Sequence, residues 1–304
     1  MSRKNILIVI ILFLSSCSHS WYVFTSFREP ANEGLMLLYS KDARQWNRLD
    51  TIFLAPGVGK QKVMRDPSIA KGPDDSFHLV WTSSWQGDKG FGYAASQDLI
   101  HWTPQQFIPV MAQEPTTVNV WAPELFYDQD SSRYIIVWAS CIPGRFDKGI
   151  EADSNNHRLY YTTTKDFNQF TPTQLFMDPG FSVIDAVIVR RAKNDFVLVL
   201  KDNTRPERNL KIAFGKSAIG PWSAASAKFS DKFTEGPSVV KAGEDWLIYF
   251  DAYHDKSYQA VSTQDFKSFT APDPSISIPE GHKHGTIVQT NGKTIRRLLK
   301  YTSQ

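Results

Sequence analysis

The stretch TEGPSVVKAGEDWLIYFDAYHDKSYQAVSTQDFKSF, residues 234–269, holds most of what decides the fold. It carries three short apolar runs, GPSVV, WLIYF and SYQAV, parted by AGED and by DAYHDK. Runs this short, rich in Val, Ile, Tyr and Phe and bounded by turn residues, read as successive strands. A fixed ending follows: Thr263-Gln264-Asp265 and then Phe269. Ser, Thr and Asp at a hairpin can bond their own backbone, and the aromatic can pack on the outgoing strand.

That ending recurs with the same internal spacing. Ser40 and Asp42 precede Trp46, Ser96 and Asp98 precede Trp102, and Thr164 and Asp166 precede Phe170. Ser217 with Trp222 is a copy one residue shorter. Each copy follows a strand-like run, and before that lies a second one: WYVFTSF (21–27), FHLVW (77–81), YIIVWA (134–139), FVLVL (196–200) and WLIYF (246–250). Five further strand starts complete the pattern: RDPSIA from Arg65, WAPELFY from Trp121, VIDAVIV from Val183, TEGPSVV from Thr234 and HGTIVQ from His284.

Five units of roughly 50–60 residues, four short strands in each and no helical pattern between them, predict an all-β five-bladed β-propeller of four-stranded blades. The frame is displaced, because later strands of one blade come first in the chain and an innermost strand, HGTIVQ, comes near its end. The ring is therefore expected to close between N-terminal strands and this C-terminal innermost strand, which removes exposed sheet edges. Residues 17–304 form one domain on this reading.

Innermost strands of a propeller line its central channel and enter from one face. Asp66, Asp185, Glu235 and His284 stand at or near such starts and should converge on one cavity. A lone acid there would be a turn cap or a solvated surface group; several acids in successive blades point to chemistry. Paired carboxylates suit glycosidic cleavage, one protonated to serve the departing oxygen and one ionised to activate water or attack carbon. A third acid raises its neighbour's proton affinity by repulsion. No P-loop or nucleophile elbow is present, which leaves phosphoryl transfer and serine hydrolysis without their signatures.

With RDPSI (65–69), WAPE (121–124), VIDAV (183–187), TEGPSV (234–239) and HGT (284–286) in this order and spacing, the chain resembles glycoside hydrolase family 43, in a less-studied branch. The resemblance covers nearly all of the chain after the leader. It implies an inverting, exo-acting hydrolase that releases a terminal sugar from plant-type glycans, in the manner of an α-L-arabinofuranosidase or β-xylosidase. Asp66 would be the general base, Glu235 the general acid, and Asp185 the group that tunes and orients Glu235. An exo-β-galactosidase of the same fold is an alternative. So is a retaining fructosidase-like propeller, which shares RDP but commonly has Glu-Cys where this chain has Glu235-Gly236, and so is a non-catalytic glycan-binding propeller. The chemistry requires no cofactor. The family also implies a calcium ion on the propeller axis, held mainly through water, with His284 beside it; a structural or sugar-binding role for His284 is the competing reading.

Sugar contacts are expected from Trp81 and Trp85 in VWTSSW, from Trp121, from Phe181 ahead of Asp185, and from Arg65, Lys201 and Arg205 as fixed donors. Glu124 is read as either a hydrogen-bonded structural acid or a sugar contact. The insertion CIPGRFDKGIEADSNNHR (141–158) is the candidate rim that selects substrate, its acids Glu151 and Asp153 being read as solvated.

The N-terminus has its own logic. MSRKNILIVIILFLSSC sets Arg3 and Lys4 before an apolar run too short to span a bilayer, which needs about 20 residues. Leu14-Ser15-Ser16-Cys17 resembles a bacterial lipobox, predicting a signal peptide over residues 1–16, lipidation of Cys17 and an exported lipoprotein of the cell envelope. Cys141 is then unpaired and is read as a buried thiol. The chain has 34 basic and 31 acidic residues, and with no Lys/Arg stripe a nucleic-acid partner is excluded.

Overall fold

The computed structural model describes residues 20–303; the leader expected over residues 1–16 and Cys17 lie outside them. The chain opens with β1 (Trp21–Ser26), β2 (Met36–Ser40) and β3 (Asn47–Arg48). A second blade follows as β4 (Arg65–Lys71), β5 (Phe77–Thr82), β6 (Phe91–Ser96) and β7 (Gln106–Ile108). The third is β8 (Trp121–Asp128), β9 (Arg133–Cys141), β10 (His157–Thr164) and β11 (Gln174–Met177). The fourth is β12 (Val183–Ala192), β13 (Asp195–Asp202) and β14 (Asn209–Gly215), and the fifth is β15 (Thr234–Ala242), β16 (Asp245–Ala252) and β17 (Ser257–Thr263). The last strand, β18 (Ile287–Thr290), and the helix α1 (Gly292–Thr302) end the described chain.

All strand pairs within the blades are antiparallel, and β4, β8, β12, β15 and β18 touch one another in turn around the centre. β18 pairs with β1, Val288 opposite Val23, so the first blade is built from both ends of the chain, as the displaced frame predicts. Two blades have only three regular strands. Their fourth edge is irregular but still bonded: Ser223, Ser226 and Phe229 donate backbone N–H groups to β14, and Thr270 and Asp273 donate to β17. The helix α1 lies outside the strand pattern expected from the repeat. Asn291 caps it by accepting from the Thr294 N–H at 3.0 Å, and Ile295 and Leu298, three positions apart on one face, bury against the first and second blades.

The middle strands are buried on both faces because each blade is sandwiched between two others. In β13, Leu198 and Leu200 pack with Ile135 and Val137 of the third blade, while Val197 and Val199 pack with Ile248 and Phe250 of the fifth. The period-2 alternation of a strand thus separates two neighbours rather than core from solvent.

The repeated ending behaves as its residue types require. Asp42, Asp98, Asp166 and Asp265 each accept backbone N–H bonds from the residues two and three positions on, at 2.7–3.2 Å. The residue after each Asp is left-handed: Ala43, Leu99, Phe167 and Phe266, with φ from 55° to 66°. Asx side chains make this turn tolerable for residues with a Cβ.

The inner strands share a second device, a bulge at the start. Pairing shifts register between Arg65 and Ser68, Trp121 and Glu124, Ile184 and Val187, and Glu235 and Ser238. Asp66, Ala122, Asp185 and Gly236 occupy the same bulge position, each with φ between 45° and 57°. The acids are therefore not all equivalent. Asp66 and Asp185 match, Glu235 stands one position earlier, and Glu124 stands two later.

Candidate active site

The bulges re-aim the side chains of β4, β12 and β15 into the channel mouth. Asp66, Asp185 and Glu235 line a single cavity of about 160 Å³ with Arg65, Trp85, Trp121, Lys201, His284, Ile184, Asn155 and Asn203. Non-glycine residues held at positive φ, as Asp66 and Asp185 are, store strain that the surrounding sheet must hold.

Each carboxylate has its own set of partners. Ala122 N–H donates to Thr82 Oγ1 at 2.8 Å, and that hydroxyl donates its own proton to Asp66 Oδ2 at 2.8 Å. The other oxygen, Asp66 Oδ1, is 3.3 Å from His284 Nε2. The imidazole needs a gap to reach it. A Cβ on Gly236 would come within 2.0 Å of the His284 ring, so the residue after Glu235 must be glycine both for space and for its φ of +57°. Gly236 N–H also donates to Asp185 Oδ2 at 3.0 Å, which ties the loop bearing Glu235 to Asp185.

Lys201 Nζ donates to Glu235 Oε2 at 2.7 Å, with the lysine side chain only 3% exposed. Burial pushes the Glu235 carboxyl up, but the Lys201 ammonium, followed by His284, outweighs it and holds the group well below the usual carboxylate range. Asp185 moves the other way. Burial raises it, and the attraction of Lys201 and His284 does not cancel that rise, to which Glu235 and Asp66 add. The two neighbours thus differ in proton affinity because one touches the ammonium directly.

Arg65 and the tryptophans form one wall. The Arg65 guanidinium lies 3.7 Å from the Trp85 ring centre and pairs with Glu29. Trp85 stays 45% exposed, and its carbonyl accepts from Trp121 Nε1 at 2.8 Å. Trp121 in turn stacks on His157 with centroids 4.8 Å apart.

Several expected contacts are elsewhere. Trp81 is fully buried in β5 between the first two blades, so it packs and cannot touch sugar. Phe181 is absent from the cavity wall, packing beside the third and fourth blades with the Lys211 ammonium 5.0 Å from its ring. Arg205 is at the outer rim, its backbone N–H donated to Glu151 Oε1 at 2.8 Å and its Nε 3.6 Å from Oε2. Glu151 itself is buried, 4% exposed, against the expectation of a solvated acid; Asp153 does remain open to solvent. Cys141 is a buried thiol, as expected, donating to Asp153 O.

Glu124 belongs to a lower level of the channel, in a space of about 30 Å³ shared with Ser68 and Thr286. It accepts from Ser68 Oγ at 2.7 Å and Thr286 Oγ1 at 3.4 Å. Burial pushes its pKa up to about 7, the two hydroxyls only partly offsetting it. Its place fits the structural reading. For an axial ion the protein offers few direct donors: no group of three His, Cys, Asp or Glu is arranged around a metal position among the described residues. Calcium prefers about six to eight oxygens, so water would have to supply most of them.

Asn155 and Asn203 carry no signal in the sequence although they line the cavity. Both sit in segments that read as loops, and nothing periodic singles them out. A larger apolar groove of about 660 Å³ lies on the outer flank between the second and third blades, walled by Met111, Tyr160, Phe170 and Leu175; it contains none of the three acids.

Comparison with known proteins agrees with this geometry. The family described as a probable glycosyl hydrolase domain, related to family 43, matches residues 18–294. An α-L-arabinofuranosidase of Bifidobacterium longum is 28% identical over 104 residues, a match spanning 31% of this chain and 10% of that protein. Among solved structures, a family-43 β-1,3-galactosidase superimposes with TM-score 0.59 at 14% identity, over 80% of this chain and 54% of its own. The endo-arabinase of Bacteroides thetaiotaomicron does so with TM-score 0.58 at 13% identity, over 88% and 93%. These structural likenesses speak for the five-bladed fold.

Proposed function

We propose that the chain, which belongs to the family-43-related glycosyl hydrolases, is a glycoside hydrolase that cleaves a terminal sugar from an oligo- or polysaccharide with inversion. The observation that carries this reading is the convergence of Asp66, Asp185 and Glu235 on one cavity of about 160 Å³. A recess of that size fits a chain end better than the middle of a polymer, which favours exo action.

On this reading Asp66 is the general base. Thr82 and His284 fix its carboxylate so that one oxygen can orient a water toward the far side of the anomeric carbon. Glu235 is the general acid and gives its proton to the departing oxygen. Inversion asks that the two stand about 6.5–9.5 Å apart, leaving room for the water. Before substrate enters, Glu235 is an anion paired with Lys201, and Asp185 is the group that burial favours in protonated form. Substrate must therefore loosen the Lys201 contact before Glu235 can carry a proton, and Asp185, tied to Gly236, stands ready to share it. Trp85 offers the exposed aromatic face for the sugar ring, and Arg65 and Lys201 are donors for hydroxyls.

Terminal arabinofuranose is the substrate favoured by the arabinofuranosidase similarity, with xylose next and galactose suggested by the galactosidase likeness. A panel of aryl glycosides and plant oligosaccharides decides among them, with proton NMR of the first product anomer. An inverted anomer is expected; a retained one overturns the roles of Asp66 and Glu235. The enzyme would act at the bacterial cell envelope, anchored through Cys17. Cys17→Ala is expected to abolish incorporation of labelled palmitate, and undiminished labelling would refute the anchor.

A further inference from the structure

Two amides on the cavity wall are held in a fixed direction by a buried charge. Asn155 comes from the insertion of the third blade and Asn203 from the loop after β13, yet they meet: Asn203 Nδ2 donates to Asn155 Oδ1 at 3.0 Å. Asn155 Nδ2 donates to Glu151 Oε2 at 2.7 Å, and Glu151 Oε1 accepts from the Arg205 backbone at 2.8 Å. Backbone bonds pin both ends, since Ser182 Oγ donates to Asn155 O at 2.5 Å and Asn203 N donates to Ser182 O at 2.8 Å.

The direction follows from the chemistry of the groups. An ionised carboxylate only accepts, so Glu151 obliges Asn155 to turn its NH₂ toward it. The Asn155 carbonyl must then face Asn203, which answers with its own NH₂. Flipping either amide would set two acceptors or two donors against each other. What remains is Asn203 Oδ1, which has no partner among the described residues, and the second Nδ2–H beside it. A planar amide offering one acceptor and one donor side by side matches two adjacent hydroxyls, one donating and one accepting.

We propose that Asn203, backed by Asn155, is a specificity-determining residue that grips a pair of neighbouring hydroxyls on the bound sugar, and that Glu151 is the positioning residue that sets its direction. This rests on the hydrolase reading of the same cavity. The long insertion thereby acquires a purpose, because the rim selects substrate through a relay whose anchor is a buried acid rather than through a flexible loop.

Binding is measured by calorimetry with L-arabinose, D-xylose and D-galactose and their 2-deoxy forms, on the full chain. Wild type is expected to bind one parent sugar at least about tenfold more tightly than its deoxy form, the loss of a directed hydrogen bond. Asn203→Ala should bind the parent as weakly as wild type binds the deoxy sugar and no longer tell the two apart. On the matching aryl glycoside it should raise KM about tenfold with kcat nearly kept. Glu151→Gln, close in shape, should keep the melting temperature within a few degrees yet lose part of the discrimination, because a side chain that both donates and accepts allows both amide orientations. An unchanged parent-to-deoxy ratio in Asn203→Ala, or no sugar bound by wild type at millimolar concentration, overturns the proposal. Failure of the hydrolase reading is seen separately, as no sugar released by wild type from any substrate while the binding ratios still report on Asn203.

Discussion

Two glutamates lie in the same channel and differ in everything but burial. Glu235 at the mouth touches the Lys201 ammonium and is pulled toward the anion, whereas Glu124 below meets only the hydroxyls of Ser68 and Thr286 and is pushed up to about 7. The inner strands thus deliver acids into two environments a few residues apart along the bulge. The neighbour supplied by the next blade, not the carboxyl itself, decides which acid stays charged. A lysine beside one glutamate and its absence beside the other separate the level proposed to be reactive from a structural one.

The largest effects should come from the reactive level. Asp66→Asn and Glu235→Gln are each expected to lower kcat/KM by about 10³-fold with the thermal melt little changed, since each removes a proposed proton-transfer group. Near-normal turnover in both would move the chemistry elsewhere. Lys201→Met breaks the buried pair and strands Glu235, so a loss on the order of 3 kcal/mol is expected in denaturant titrations at pH 7. Because protonation of Glu235 relieves the stranded charge, that deficit should shrink at pH 5; an equal loss at both pH values would mean the ammonium does not hold the anion.

The structural level gives a smaller, opposite test. Glu124 binds its proton more tightly folded than unfolded, so its contribution is complete below about pH 4 and disappears as pH rises toward about 7. Wild type should therefore lose stability of about 3 kcal/mol over that window from this group, and Glu124→Gln should flatten the decline. Parallel curves for the two proteins would place the Glu124 proton elsewhere. Smallest of all in catalysis is Trp81→Phe, expected to leave KM unchanged while costing about 1–3 kcal/mol of stability, whereas Trp85→Ala should raise KM with little change in the melt. Equal effects on KM would contradict the burial of Trp81.

The contrast between these two tryptophans also shows what a sequence can disclose. Blade number, strand order and ring closure were legible because the Ser/Thr-x-Asp turn repeats at fixed spacing, and its backbone bonds are local. Convergence of Asp66, Asp185 and Glu235 followed from that repeat. Trp81 and Trp85 both flank the strand end in VWTSSW, but β5 is buried on both faces, so alternation carries no sign of which ring reaches the cavity. The one-residue offset of Glu235 from Asp185 was hidden too, since a bulge depends on cross-strand pairing that residue types alone do not reveal. Glu151 and Asn155 were illegible for another reason: their partners, Arg205 and Asn203, come from a different blade. The helix α1 had a visible signal, Asn291 followed by Ile295 and Leu298, that a strand-dominated pattern overshadowed.

The blade shared by the two chain ends imposes an order on the birth of the enzyme. Asp66 is synthesised early and His284 late, yet the imidazole that steadies this carboxylate arrives only when the final strand docks against Val23. A chain still on the ribosome consequently owns four blades' worth of sequence and an unfinished cavity. The cavity is complete only once the joint between the first and last strands has closed, which makes that joint its latch.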